Sequence, residues 1–269
     1  MPYVPHYIPI QPCRTPYLLR VQDYIRLGTT SYGTINMLHV SKPDGKLKGI
    51  RAIGTNTLNN TFCRKMHNMQ DDKVICTKCY SWGMLQGFRK NVAAALQRNT
   101  EVMSKTLLQY NDVPVIKDDV FRFQHHGELI NMKHFKNFVN IARKNPDCTF
   151  ALWTKRKDII TRYFKDWNYY LEGVNKNTTI RLFNARTWHR NLRIPSNLIL
   201  VYSNPRIDKV MTEPPKHFHK VFNNVSPDNH TVKQNCTGQK CRDCMLCYSK
   251  HNSAKRGCNV IIEGVKNRG

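Results

Sequence analysis

The sequence predicts an α/β chain: a partial (β/α) barrel of the TIM type with a mainly parallel sheet, and cysteine-rich N- and C-terminal segments around a metal cluster. Three observations predict it. Short apolar runs alternate with helical stretches from residue 80 onward, the signature of βα units and a parallel sheet. The 269 residues, 40% of them hydrophobic, are enough for one large core. Seven of the ten cysteines fall into two compact groups that bracket the alternating region.

Residues 1–60 are rich in proline, glycine and threonine, with a turn signal at Lys42-Pro43-Asp44-Gly45. They read as an irregular N-terminal arm, with up to two strands, packed on the core. Residues 61–230 are expected to form the barrel core and 231–269 a cluster-binding segment, all within one domain. Tyr80 to Tyr110 lacks proline and carries apolar residues at helical spacing around Ala93-Ala94-Ala95-Leu96, which predicts a helix. Val120–Phe123 then reads as a strand, Met132–Lys144 as an amphipathic helix, Thr149–Trp153 as a strand and Lys157–Leu171 as a helix. Thr179–Phe183, Leu198–Tyr202 and Lys220–Phe222 complete about five strands. No run of roughly 18 apolar residues occurs, so no transmembrane helix is expected. The start, MPYVPHYIPIQPC, lacks the basic and apolar stretches of a secretory signal, which points to a reducing cytoplasm.

Parallel βα architectures bind ligands at the C-terminal ends of their strands. The residues there are polar, as in many strand exits: His125, His126, Gly127 and Glu128, then Lys155, Asn184, Ser203 and Asn223. They are the candidate contacts for a small-molecule ligand. The formal net charge of +25 suggests a nucleic-acid partner. Its lysines and arginines are scattered, however, and an AT-rich genome enriches Lys and Asn codons without selection for nucleic-acid binding.

The cysteines carry the strongest chemical signal. In CTGQKCRDCMLCY, Cys236, Cys241, Cys244 and Cys247 put four thiols within twelve residues, with two consecutive C-x2-C steps. Such a run recurs in iron-sulfur ligation, whereas structural zinc usually takes two separated pairs, so a 4Fe-4S cluster is favoured and zinc is the alternative metal. Cys63, Cys76 and Cys79 form C-x12-C-x2-C. Three thiolates leave one iron of a four-iron cluster open, unless the C-terminal group supplies the fourth, so one or two clusters are expected. His67, inside that loop, is expected to be a solvated loop histidine. Cys13, Cys148 and Cys258 follow no spacing pattern, and Cys148, beside a strand, is expected in the core. No G-x-S-x-G elbow, P-loop or H-E-x-x-H motif is present, which leaves hydrolase, nucleotide-binding and zincin readings without an anchor.

A three-cysteine loop, a helix, and a strand ending in Gly-Glu about fifty residues later resembles the layout of radical S-adenosylmethionine enzymes. The resemblance implies that Cys63, Cys76 and Cys79 ligate the cluster and that Glu128, in HHGEL, meets the amino group of S-adenosylmethionine, with Gly127 permitting close backbone approach. The spacing is wider than the C-x3-C-x2-C of those enzymes, and Tyr80 follows the last cysteine rather than an aromatic preceding it. The succession CxxCY, FRFQHHGEL, LWTK and CxGxxCxxCxxCY is similar to an uncharacterised phage family named after mycobacteriophage gene product 88. That similarity implies a phage protein acting in the cytoplasm of the infected host cell, and implies no reaction. Three readings follow. The first is an iron-sulfur, radical S-adenosylmethionine-like enzyme; the second an iron-sulfur protein whose cluster is structural or redox-active; the third a basic nucleic-acid-binding protein with zinc.

Overall fold

Six strands pair in strict chain order and every neighbouring pair is parallel. They are β1 (Arg51–Ile53), β2 (Val120–Phe123), β3 (Thr149–Thr154), β4 (Leu198–Ile207), β5 (Lys220–Val225) and β6 (Val260–Gly264). The helices are α1 (Thr61–His67), α2 (Tyr80–Gln86), α3 (Lys90–Lys105), α4 (Met132–Lys144), α5 (Lys157–Asn175) and α6 (Cys241–Cys244). This computed structural model describes residues 38–175 (side chains to 166), 194–250 and 258–265. The expected strand Thr179–Phe183, Asn184 and Cys13 lie outside the described residues.

Sequential parallel order means that the crossovers share one hand, so the helices gather on one face of the sheet. Side chains alternate across that division. Phe121, Phe123, Phe150, Leu152, Leu198 and Leu200 point to the helices and bury against Met103 of α3, Phe135 and Phe138 of α4, and Ile160 and Tyr163 of α5. Phe123 stacks between Phe138 and Phe150, with ring centroids 4.2 and 4.8 Å away. Each fully buried phenylalanine contributes about 1.5–3 kcal/mol relative to exposure. Cys148 joins this core, as its position predicts.

The opposite, inner face carries Arg122, Ala151, Trp153, Ile199, Val201 and Phe222. The C-terminal segment packs there, burying Leu246, Cys247 and Tyr248. Arg242 anchors it by two bonds to the Asp119 carboxylate at the foot of β2, at 2.5 and 2.8 Å. A flat sheet would hold its outer strands about 24 Å apart. Yet Lys46, just before β1, forms an ion pair with Glu263 of β6, so the sheet curls and the segments flanking its edges meet.

The strand runs of the middle region fall where expected, with β4 and β5 continuing to Ile207 and Val225. Three features differ. The helix expected from Tyr80 to Tyr110 is two helices, broken at Gly87-Phe88-Arg89. β1 arises within the segment read as an arm and β6 within the cysteine-rich segment, so the boundaries at residues 60 and 230 fall inside one sheet. Among the described residues, no helix is long and apolar enough to cross a membrane.

Candidate functional site

The C-terminal ends of the strands open on a cavity of about 1530 Å³. Its wall is shared by the loop after β1, the ends of β2 to β5 and the last residues of β6. Cys63, Cys76 and Cys79 line it, as do His125, His126, Gly127, Glu128, Lys155 and Ser203. Asn223 does not. One residue of register decides this: Phe222 and Asn224 face the cavity, while Asn223 points the other way and bonds Asn204 Nδ2, Met211 N and Met211 O.

Local chain chemistry sets each thiol. Cys63 lies in the first turn of α1, whose N-cap Asn60 accepts from Cys63 N at 3.1 Å and donates to the Glu128 carbonyl at 2.8 Å. That side chain ties the cysteine loop to the end of β2. Cys76 sits in the 3-10 turn Ile75–Lys78 and Cys79 is the N-cap residue of α2. His67 bonds the Cys76 carbonyl at 3.0 Å and stacks on Trp82, with ring centroids 4.2 Å apart, so it shapes the loop.

Glu128 is only 4% exposed, and its carboxylate is already engaged. Oε1 accepts from Leu129 N at 2.8 Å and from the Thr154 hydroxyl; Oε2 accepts from Lys155 N at 2.7 Å. The group therefore locks the end of β2 to the end of β3 and leaves little free acceptor capacity for a ligand amine. Burial raises its pKa despite these bonds. The Lys155 ammonium donates to Ser203 Oγ at 3.1 Å. Burial works against its charge, yet Cys76, Glu128, Cys79 and Cys63 around it hold its pKa above the ordinary lysine value. Burial likewise raises the Cys63 and Cys76 thiols, Glu128 adding for both, with Lys155 opposing.

Gly127 has φ +73°, and a Cβ there would stand 2.3 Å from Thr55 Oγ1 and 2.5 Å from the Thr55 carbonyl. Only glycine fits. Its N–H donates to Thr57 Oγ1 at 2.9 Å, Thr57 and Ser81 hydroxyls lie 2.5 Å apart, and Ser81 Oγ is 2.6 Å from His126 Nδ1. The assignment that gives every hydroxyl hydrogen an acceptor runs from Thr57 to Ser81 to Nδ1 and puts the ring proton on Nε2. Burial, with Arg89 adding, lowers the His126 pKa to about 4, and burial with His126 and Arg122 lowers His125 to about 2. Both rings are neutral at pH 7, so His126 serves as a fixed hydrogen-bond donor.

The second group reaches the same cavity wall through Cys236, Cys241 and Cys247. Cys236, Cys241, Cys244 and Cys247 surround a void of about 20 Å³. Cys247 is raised by burial and feels Cys241, Cys236 and Cys244, whereas Cys63 feels Cys79 and Cys76. Two cations serve this group. Burial raises the Cys241 and Cys247 thiols, and Arg122 opposes that rise from the inner face of β2, its guanidinium 3.9 Å from the Trp153 ring centroid. Lys220 has 0% exposure; its Nζ donates to the Cys258 carbonyl at 2.9 Å, and it pairs with no carboxylate among the described residues. As they stand, no three His, Cys, Asp or Glu side chains among the described residues are gathered tightly enough to hold a single metal ion.

Sequence reasoning passed over Arg122, Lys220, Trp153, Thr57 and Ser81. A signal existed for two of them: an arginine between phenylalanines in Val120–Phe123 and a lysine opening an apolar strand both put a cation on a sheet face. The fold and site together define a singly wound parallel α/β protein carrying two thiol groups beside one cavity. No protein-family model, curated protein or solved structure matches the chain.

Proposed function

We propose that the chain is a phage iron-sulfur protein with two metal sites, one of them reactive, in the manner of a radical S-adenosylmethionine enzyme. The observation that carries this reading is that Cys63, Cys76 and Cys79, three thiols held by one loop, face a cavity of about 1530 Å³ at the strand ends, in whose wall Cys236, Cys241 and Cys247 also stand. A three-thiolate site leaves one coordination position free for a ligand, as catalytic metal sites generally do. When bound there, a four-iron cluster would supply one-electron chemistry to a ligand in the cavity.

The donor set fits such a group. The thiols are soft ligands of the kind that iron-sulfur clusters and zinc take. The chain's own residues would do the rest. Asn60 and Glu128 hold the cysteine loop and the ends of β2 and β3 in place, and Lys155 offers a cation beside the thiols. His126 presents Nε2–H to a ligand acceptor, and Gly127 allows close approach. Glu128 is engaged by three donors, so its support for a bound amine would pass through one remaining acceptor position.

For the four-cysteine group, the half-buried Arg122 and the buried Lys220 support a metal-bound thiolate site. A buried lysine without a carboxylate is costly, and four metal-bound thiolates carry the negative charge that would offset it. The void of about 20 Å³ favours a second reading there, zinc with the thiols drawn inward. Anaerobic purification with iron, acid-labile sulfide and zinc quantification tests the proposal. Brown protein with iron and sulfide is expected, and turnover of S-adenosylmethionine to 5′-deoxyadenosine on reduction separates the enzyme from a purely structural or redox protein. Colourless protein with stoichiometric zinc alone overturns the iron-sulfur reading.

A further inference from the structure

Phe88 is the most exposed large apolar side chain among the described residues, at 81%. It stands on the break between α2 and α3, next in the chain to Arg89, which lines the cavity. The Arg89 guanidinium lies 5.8 Å from the Phe88 ring centroid, and its ion pair with Asp44 is exposed and easily exchanged. Tyr80, 45% exposed, and Trp82 line the same wall four and two residues from Met84. Lys42 and Lys78 also line the cavity, with no ion pair to a carboxylate among the described residues. Between residues 61 and 100, seven lysines and arginines face two aspartates.

We propose that the substrate entering this cavity is a single-stranded nucleic acid, with Phe88 stacking a base at the rim while Arg89, Lys78 and Lys42 follow the phosphates. The inference rests on the reading of the cavity as the reaction site and names its substrate class. An exposed aromatic face beside cations is the stacking platform that single strands use, since every base offers a π-face and no sequence readout is needed. A duplex hides those faces in its stack. The cavity exceeds the roughly 300–1,000 Å³ of ordinary small-molecule sites, leaving room for a nucleotide and its neighbours. The dispersed charge of the chain alone would serve duplex and single strand alike; the exposed ring is what separates them.

The test is fluorescence anisotropy with the full-length, metal-loaded protein under anaerobic conditions, using labelled twenty-nucleotide single-stranded DNA, single-stranded RNA and duplex DNA across a salt series. Both or one of the single strands should bind at least tenfold more tightly than duplex, and the DNA and RNA arms identify which sugar is taken. Phe88→Ala should weaken single-strand binding roughly five- to hundredfold with an unchanged salt slope, while Lys42→Ala with Lys78→Ala should flatten that slope. No binding at low salt overturns the inference, as does equal affinity for duplex with Phe88→Ala silent, or equal competition by polyglutamate. Iron and sulfide are measured on the same sample. An iron-free protein that still prefers single strands refutes the cluster reading and keeps this surface; an iron-sulfur protein indifferent to nucleic acid does the reverse.

Discussion

Cys63, Cys76 and Cys79 stand in the wall of a cavity large enough for a substrate, whereas the second group reaches that wall through Cys236, Cys241 and Cys247 and also gathers all four of its thiols, with Cys244, around a void about one water molecule in size. The first group is three thiols on a loop tied to strand ends, with neutral histidines, a lysine and a carboxylate around it. The second is four thiols packed against the inner face of the sheet, with two cations and apolar neighbours. The same residue type thus meets two environments. A three-thiol set leaves a coordination position open and suits reaction, and a four-thiol set is complete, hence closed, and suits structure or electron storage.

The largest effect expected from breaking this contrast is on metal content. Cys76→Ala should remove the metal of the open site and Cys244→Ala that of the closed one, each variant keeping the other portion; loss of all iron in either single variant would show one shared cluster. Acid comes next. His125 and His126 in the cavity wall and His134 of α4, all buried, have pKa values near 2, 4 and 3 against about 6.5 when unfolded, with burial the leading cause. Because the folded values are depressed, the stability from keeping these rings neutral is complete above pH 6.5 and is lost as pH falls from there toward 4 and below. Each histidine should cost about 1.4 kcal/mol per pH unit in that window. Urea midpoints at pH 7 and pH 5 check the sign, and equal midpoints contradict it.

Gly127→Ala should destabilise by about 3 kcal/mol, since it adds a left-handed backbone penalty to a collision with Thr55. Denaturation midpoints measure this, and metal analysis should show the open site affected and the closed site spared. A variant as stable as the parent would mean that the segments after β1 and β2, which carry Thr55 and Gly127, can separate. Smallest is Lys46→Ala, which removes the partly exposed ion pair between the segments flanking the sheet edges and should change stability by less than about 1 kcal/mol. A larger loss would show that this contact, rather than the C-terminal segment, holds the sheet curled.

Much of the middle of the fold was legible. Val120–Phe123 and Met132–Lys144 carry clean periods of two and 3.6 and form as read. β1 falls in the segment read as an arm with up to two strands, but its position was not legible because its three residues are a strand only by pairing with β2; β6 was hidden because a cysteine-rich segment precedes it. The break at Gly87 splits a stretch that propensity alone would continue, and it leaves Phe88 exposed. At the site, Asn223 and Asn224 look equivalent in sequence, and only register assigns them to opposite faces. Glu128 reads as a free acid beside a glycine, yet Leu129, Thr154 and Lys155 occupy it.

By itself the sequence determined the grouping of the thiols, the alternation of strands and helices, and the glycine and acid at the end of β2, because spacing and period are local properties of a chain. Tertiary structure decided that cysteines of both groups line one cavity, that the second group also surrounds a small void of its own, and that Arg122 and Lys220 sit with the second. Those facts depend on strand register and on the curl of the sheet, which arise from contacts between residues far apart in the chain.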